Sequence, residues 1–354
     1  MNDLTKEATG AVEEDLTTAA FWEKRNEGFA APDPSQDRLH PETRKTQPGY
    51  ALTETQYLGF NIPEENVHGL AYMWHHPNLG TVTGGVYAWT GIKQHNFECE
   101  LFDFVTYQSD ECLKNDLRDY QLENSYHVNT IEPLKQHRIR YEDAARGNKF
   151  DIHYEAIMPP MVQSSGMHIE QAMRTTGSLT LRGKEYKLNG SYTVRDRSWG
   201  ALRREVHTNA APLAWMTGIK GEDFVFGCTA FDDPATSPDS YPGLIVPGGT
   251  TVKGGWVYQS GEMLPILSAT KRVTRDPDTL IPQTVDMVLT DSKGGSYAIK
   301  GTVVAAANWR TWHNFETWIC QVRWEYNGHV FYGDLQECHW LDFVHAARAA
   351  HAKK

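Results

Sequence analysis

Hydrophobic and polar positions along this chain alternate in short runs. In the first half "VHGLAYMW", "GGVYAWT", "FECELFDFVTY", "FDIHYEAI", "GSLTLRG" and "GSYTVRD" are bounded by Gly, Asn, Asp or Pro, the pattern of β-strands with buried faces. The second half repeats the rhythm with "LAWMTGIKGEDFVFGCTAF", "GGWVYQSG", "LPILSATKRVT", "QTVDMVLTD", "SYAIKGTVVAA" and "FETWICQVRWEYNGHVFYGDLQE". Roughly sixteen strands are predicted, enough for two sheets of about eight, the size of a barrel that can hold one ligand. Asn189-Gly190 and Asn327-Gly328 are each predicted to turn a hairpin, because Asn-Gly tolerates positive φ at both central positions. Helical spacing is sparse. Leu16, Ala19, Ala20 and Trp22 suit one short helix between Glu13 and Glu27, and Asp110 to Asp119 and "WLDFVHAARAAHAKK" suit two more.

The expectation is a mainly β protein of two consecutive antiparallel β-barrels with few helices. A helical or irregular arm covers 1–48, the barrels cover 49–200 and 201–345, and a tail covers 346–354. A length of 354 residues suits two domains.

Composition narrows the function. Eleven Trp and sixteen Tyr supply ample material for packed cores or an aromatic cavity, and a net charge of -11 repels a phosphate backbone. Nucleic acid is therefore excluded as a partner. No stretch approaches the ~20 apolar residues of a membrane span, and the first residues lack a basic leader with an apolar core. These features predict a cytoplasmic protein. The five cysteines are scattered without a CxxC pair, so neither disulfides nor a zinc knuckle is expected.

The common catalytic signatures GxSxG, HExxH, GxGxxG and the P-loop do not occur. Fifteen histidines include no H-x-H pair, and His75 and His76 cannot share a strand face, so no metal is expected.

"GSYTVRDRSWGALRR" is more informative. On a strand, Arg195, Arg197 and Trp199 point one way while Val194, Asp196 and Ser198 point the other. Asp196 is then either a brace paired with Arg203 or Arg204, with Trp199 capping a barrel end, or an acid tuned by desolvation and nearby cations. Upstream, in "GMHIEQAMR", His168 and Glu170 share one face and Gln171 lies on the other, so His168 and Glu170 could form an oriented acid–base pair.

The order "HIEQ…GSLTLRGKEYKLNGSYTVRDRSWG" followed by "FETWICQVRWEYNGHVFYGDLQE" resembles the tandem-lipocalin proteins. These include the carotenoid 1,2-hydratase (hydroxyneurosporene synthase) family and the AttH-like proteins. Their His-x-x-Gln element and Asp-x-x-Trp-Gly corner correspond to His168, Gln171, Asp196, Trp199 and Gly200. The resemblance implies two lipocalin-like barrels, a hydrophobic cavity and no metal or organic cofactor. It also implies that Asp196 is the proton donor. Here Arg195-Asp196-Arg197-Ser198 replaces the His-Asp-His-Asn of the carotenoid hydratases, which points to a smaller or more polar substrate.

Together these readings predict a cofactor-independent lyase (hydratase or dehydratase) or an isomerase or cyclase. Its substrate would be a hydrophobic terpenoid, steroid-like or aromatic compound. Asp196 would be the acid, with His168 and Glu170 handling water or a second proton. Gln171, Tyr192, Trp199, Trp215 and Trp309 would bind substrate. Two alternatives are a non-catalytic carrier of lipids or metabolites, and a structural barrel pair whose arm mediates homodimerisation.

Overall fold

The computed structural model describes residues 28–40, 51–203, 209–233, 243–247, 249, 251–312 and 315–352. The expected N-terminal helix around Leu16 to Trp22 lies outside them, as does Arg204, while Arg203 is described in backbone only. The strands are β1 (Ala51–Ile62), β2 (Val67–His76), β3 (Thr81–Thr90), β4 (Leu101–Ser109), β5 (Asp119–Gln121), β6 (His127–Glu132), β7 (Gln136–Asp143), β8 (Asn148–Ala156), β9 (Met161–Val162), β10 (His168–Leu181) and β11 (Lys184–Arg203). There follow β12 (Leu213–Gly221), β13 (Phe224–Phe231), β14 (Val252–Gln259), β15 (Glu262–Arg275), β16 (Pro282–Asp291), β17 (Ser296–Trp312), β18 (Phe315–Tyr326), β19 (His329–Trp340) and the helix α1 (Leu341–His351). The protein is mainly β with few helices.

The first eleven strands form one antiparallel sheet in the order β4-β3-β2-β1-β11-β10-β8-β7-β6-β5, with β9 added beside β10. It curls as a half-barrel around a core that includes Phe60, Tyr141, Phe150, Ile152, Leu179 and Leu188. The other eight close into a barrel, β12 to β19 in chain order, filled by residues such as Phe226, Val285, Ile299, Trp324 and Leu335. Each closed or curled sheet thus buries one apolar face by alternation. A third core lies between them: Tyr57, Leu70, Trp74, Tyr87 and Trp89 of the sheet pack against Ala305, Ala307, Trp309 and Ile319 of the barrel.

The turn expected at Asn327-Gly328 joins β18 to β19, with both residues at positive φ (48° and 76°). The one expected at Asn189-Gly190 does not form. The β10–β11 hairpin turns at Arg182-Gly183 instead, again at positive φ (50° and 84°). Gly190 is an extra residue inside β11: Thr175 faces Ser191 and Thr176 faces Asn189, so Gly190 bulges out of the ladder. Its φ of 93° is one that glycine adopts without strain. The C-terminal helix forms as expected. The helix expected from Asp110 to Asp119 is only a 3₁₀ turn over Asp110–Leu113, because Asp116 and Leu117 both take positive φ before β5 begins.

Candidate active site

The alternation predicted for β11 holds, and it separates two kinds of chemistry. Arg195 and Arg197 point into the half-barrel. Arg195 donates to both Asp37 oxygens (2.6 and 3.2 Å) and to Gln171 Oε1 (2.9 Å). Arg197 donates to Glu54 Oε1 and to the carbonyls of Gln36 (2.7 Å) and Arg38 (2.9 Å). Burial alone would raise both carboxyls. The guanidinium charges, with hydrogen bonds from Arg195 to Asp37 and from His40 and His75 to Glu54, hold each well below the ordinary range. The arginines flanking Asp196 therefore answer carboxylates on their own side of the strand.

Gln171 and Trp199 belong to this inner set. The Gln171 amide donates to the carbonyls of Leu134 (2.8 Å) and Met158 (2.9 Å), so it is spent on the scaffold. Trp199 stacks on His40, with ring centroids 4.0 Å apart, and packs against Val162 and Ile169.

Asp196 points the other way, toward the barrel. On its face Asp196 stands between Tyr57 of β1 and Glu170 of β10. His168, opposite Ser198, lies on the same face. Glu170 is half-buried and bridges two groups, His168 Nε2 at 3.2 Å and the Trp256 indole N–H of β14 at 2.6 Å. Burial pushes the Glu170 carboxyl up, but His168 and Trp256 outweigh it and hold it low. Gly227 makes the indole contact sterically feasible: a Cβ there would lie 2.4 Å from Trp256 Nε1 and 2.8 Å from Glu170 Oε2.

On the other side of Asp196, the Tyr57 hydroxyl donates to Asp334 Oδ2 of β19 at 3.0 Å. Asp334 is fully buried. Burial, with the negative charge of Asp196 nearby, pushes its carboxyl up to about 7 against the lowering effect of the Tyr57 bond. His68 Nε2 lies 3.8 Å from Asp334 Oδ1, and burial pushes His68 down to about 3, so it is neutral at pH 7. Across β18 from Asp334 stands Gln321. A carboxyl that titrates near neutrality beside a second carboxyl can give and accept a proton at pH 7.

Aromatic rings wall the same seam. Trp309 sits against Tyr72 (5.0 Å), Trp74 (5.2 Å) and Phe104 (6.1 Å). Tyr192 packs farther along with Met158, Ala172 and Trp256. Trp215 is not part of this group. It stands 37% exposed on the outer wall of β12. The structure thus brings together Asp196, Glu170 and His168, with Trp309 and Tyr192 on the same seam.

Sequence reasoning missed Tyr57, His68, Trp256, Gln321 and Asp334. Asp334 carried a signal, a charged residue within the alternating strand "HVFYGDLQE". Nothing in the sequence, however, said that β19 docks on β1 and β11. Among the described residues no three or more His, Cys, Asp or Glu side chains are arranged to hold a metal ion, and no helix is long and apolar enough to cross a membrane.

Comparisons with known proteins place the architecture. A family model described as "Domain of unknown function (DUF7064)" matches residues 33–342. No curated protein matches the chain. Kievitone hydratase from Nectria haematococca is similar in structure (TM-score 0.51, 13% identity, covering 90% of this chain and 98% of that one). A candidate AttH from Nitrosomonas europaea is similar as well (TM-score 0.52, 10% identity, covering 89% and 98%). At these identities the likeness is one of fold, the lipocalin-like fold of AttH-type proteins.

Proposed function

The chain belongs to the DUF7064 family, and we propose that the seam between its sheet and its barrel is an acid–base active site. The reaction would be the addition or removal of water, or a double-bond shift, on a hydrophobic small molecule. The observation that carries this reading is the buried Asp334, which accepts from Tyr57, the strand neighbour of Asp196, and whose carboxyl is pushed up to about 7 by burial and by the charge of Asp196.

In this mechanism a carboxyl at the seam protonates an alkene carbon, or protonates a departing hydroxyl so that it leaves as water. Asp196 takes that role and Asp334 is the proton reserve, since the charge of Asp196 disfavours ionisation of Asp334. Positive charge then develops on carbon. The faces of Tyr72, Trp74 and Trp309 stabilise such charge by ~0.5 to 2 kcal/mol each. Glu170, aligned by Trp256, orients His168 to accept the second proton or direct a water. The fold likeness to a hydratase is compatible with this chemistry, and the side chains at the seam support it.

The test is a panel of terpenoid alkenes, tertiary alcohols and phenolic compounds incubated with the protein, followed by mass spectrometry for gain or loss of one water and chromatography for isomers. Turnover is expected for the wild type. Asp196→Asn should slow it by ~10² to 10⁴-fold with an unchanged melting temperature. Compounds that bind and are recovered unaltered would instead identify a carrier. An Asp196→Asn protein with full activity per folded molecule would remove Asp196 from the mechanism.

A further inference from the structure

We propose that a contiguous row of polar atoms without protein partners, on Asn61, His68, Gln321 and Asp334, is the recognition site for a hydroxyl or carbonyl oxygen of the ligand. The ligand would thus be an oxygenated hydrophobic molecule, not a plain hydrocarbon. The inference rests on the acid–base reading only in taking that ligand as the reaction's substrate.

The row begins at an open cleft of about 320 Å³ between the two halves, lined by Asn61, Tyr192, Ile219 and Tyr332 among others. That is the lower end of small-molecule pocket sizes. Asn61 spends its amide N–H on the Tyr192 carbonyl (2.8 Å), which leaves its buried Oδ1 without a protein partner. Directly across the strand pair is His68, neither of whose buried ring nitrogens makes a hydrogen bond. His68 Nε2 approaches Asp334 Oδ1 to 3.8 Å, and that oxygen also lacks a hydrogen bond. Opposite Asp334, Gln321 has neither its amide oxygen nor its nitrogen bonded. Each such group costs ~1 to 3 kcal/mol when buried. Other buried atoms without a hydrogen bond lie elsewhere in the fold, but these four side chains are set apart by adjoining one another in a row that runs from the cleft to Asp334.

The chemistry of the row selects the ligand group. Asn61 Oδ1 accepts, Asp334 Oδ1 accepts when ionised and donates when protonated, the Gln321 amide donates, and neutral His68 does one of each. A hydroxyl, which donates and accepts, satisfies a neighbouring pair, and a carbonyl satisfies the donors. A hydrocarbon leaves the row as costly as before.

Naphthol and naphthalene, which share a ring system and differ by one hydroxyl, test this by equilibrium dialysis against the full chain. Wild type is expected to bind naphthol about tenfold or more tightly than naphthalene. His68→Phe and Gln321→Leu should keep naphthalene affinity and lose that preference, while Asp196→Asn should retain it whatever its turnover. Equal affinities in the wild type, binding of neither compound, or a preference that survives in both His68→Phe and Gln321→Leu would overturn the proposal. Failure of the catalytic reading appears separately, as naphthol preference in a protein that turns over none of the substrate panel.

Discussion

Arg195 and Arg197 in the half-barrel each meet a carboxylate, and so does Arg275 in the closed barrel. Asp334 at the seam meets a tyrosine and, on its other oxygen, no hydrogen-bond donor. The closed barrel repeats the inner arrangement of the half-barrel with other residues. Arg275 donates to Asp232 (2.6 Å) and to both oxygens of Glu337 (2.6 and 3.0 Å), and Lys271 pairs with Asp232 at 2.7 Å. His339 adds a bond to Glu337 at 2.8 Å, and Phe343 of α1 lies 5.2 Å from the Arg275 guanidinium. Two interiors built from different residues reach the same answer, opposite charges in contact. Both interiors also hold single buried atoms without a hydrogen bond, such as Arg197 Nε and His339 Nδ1, but each of these two sits on a group that is otherwise paired with charge. At the surface where the two meet, Asn61, His68, Gln321 and Asp334 bring such atoms together in one row, with no cation among the described residues to answer them.

The comparison breaks most visibly if an interior pair is cut. Arg197→Met removes the cation and leaves Glu54 buried with, among the described residues, only His40 and His75 as partners, so denaturant unfolding should show a loss of ~3 to 5 kcal/mol. A loss below about 1 kcal/mol would mean that the interior network is as dispensable as a surface pair.

A second measurement separates the two regions by pH. Asp334 has its folded pKa raised to about 7 from about 4 in the unfolded chain. It binds its proton more tightly when folded, so its contribution to stability is complete below pH ~4 and is lost as the pH rises toward ~7. Asp37, Glu54 and Glu337 are shifted the other way. Their contribution is complete above the ordinary carboxyl pKa and is lost as the pH falls below it. Asp334→Asn should therefore flatten the stability curve between pH ~4 and ~7 and leave the acid limb intact. A curve with the same fall in that window in both proteins would show that Asp334 is not the group responsible.

The smallest effect has the most informative sign. Gln321→Leu puts an apolar side chain where a buried amide lacks partners, so it should raise stability by ~1 kcal/mol, read as a higher melting temperature. The same change in a satisfied amide, Gln171→Leu, should lower it. A drop for Gln321→Leu would return that residue to the scaffold.

How much of this was legible in the chain depends on the range of the interaction. The strands and the faces of Arg195, Asp196 and Arg197 follow from alternation, a local property, and the Asn327-Gly328 turn from local backbone preference. His168 and Glu170 are two residues apart, and their contact follows from the same periodicity. The partners of Arg195 and Arg197 did not follow, because Asp37 and Glu54 are 158 and 143 residues away in sequence. Asp334 lies in the other half of the chain, and only the docking of β19 on the sheet brings it to Tyr57. Asn189-Gly190 misled for a related reason. The dipeptide favours positive φ in a bulge as readily as in a turn, and pairing with β10 decides which is used.

That bulge settles which way β11 faces from Gly190 onward. Before it Tyr186 and Leu188, even-numbered, face the half-barrel core. After it Arg195 and Arg197, odd-numbered, turn inward. One surplus residue therefore switches the parity of the strand, and only in the switched state does the sequence Arg-Asp-Arg deliver its cations to the interior and its acid to the seam. Deleting Gly190 would restore an even-inward strand without changing any chemical group. Asp196 would then be aimed at Asp37 and Glu54, and the two guanidiniums at Asp334. The identity of this site is thus held in a count of residues as much as in their kinds, and point substitution and single-residue deletion probe two separate layers of its specification.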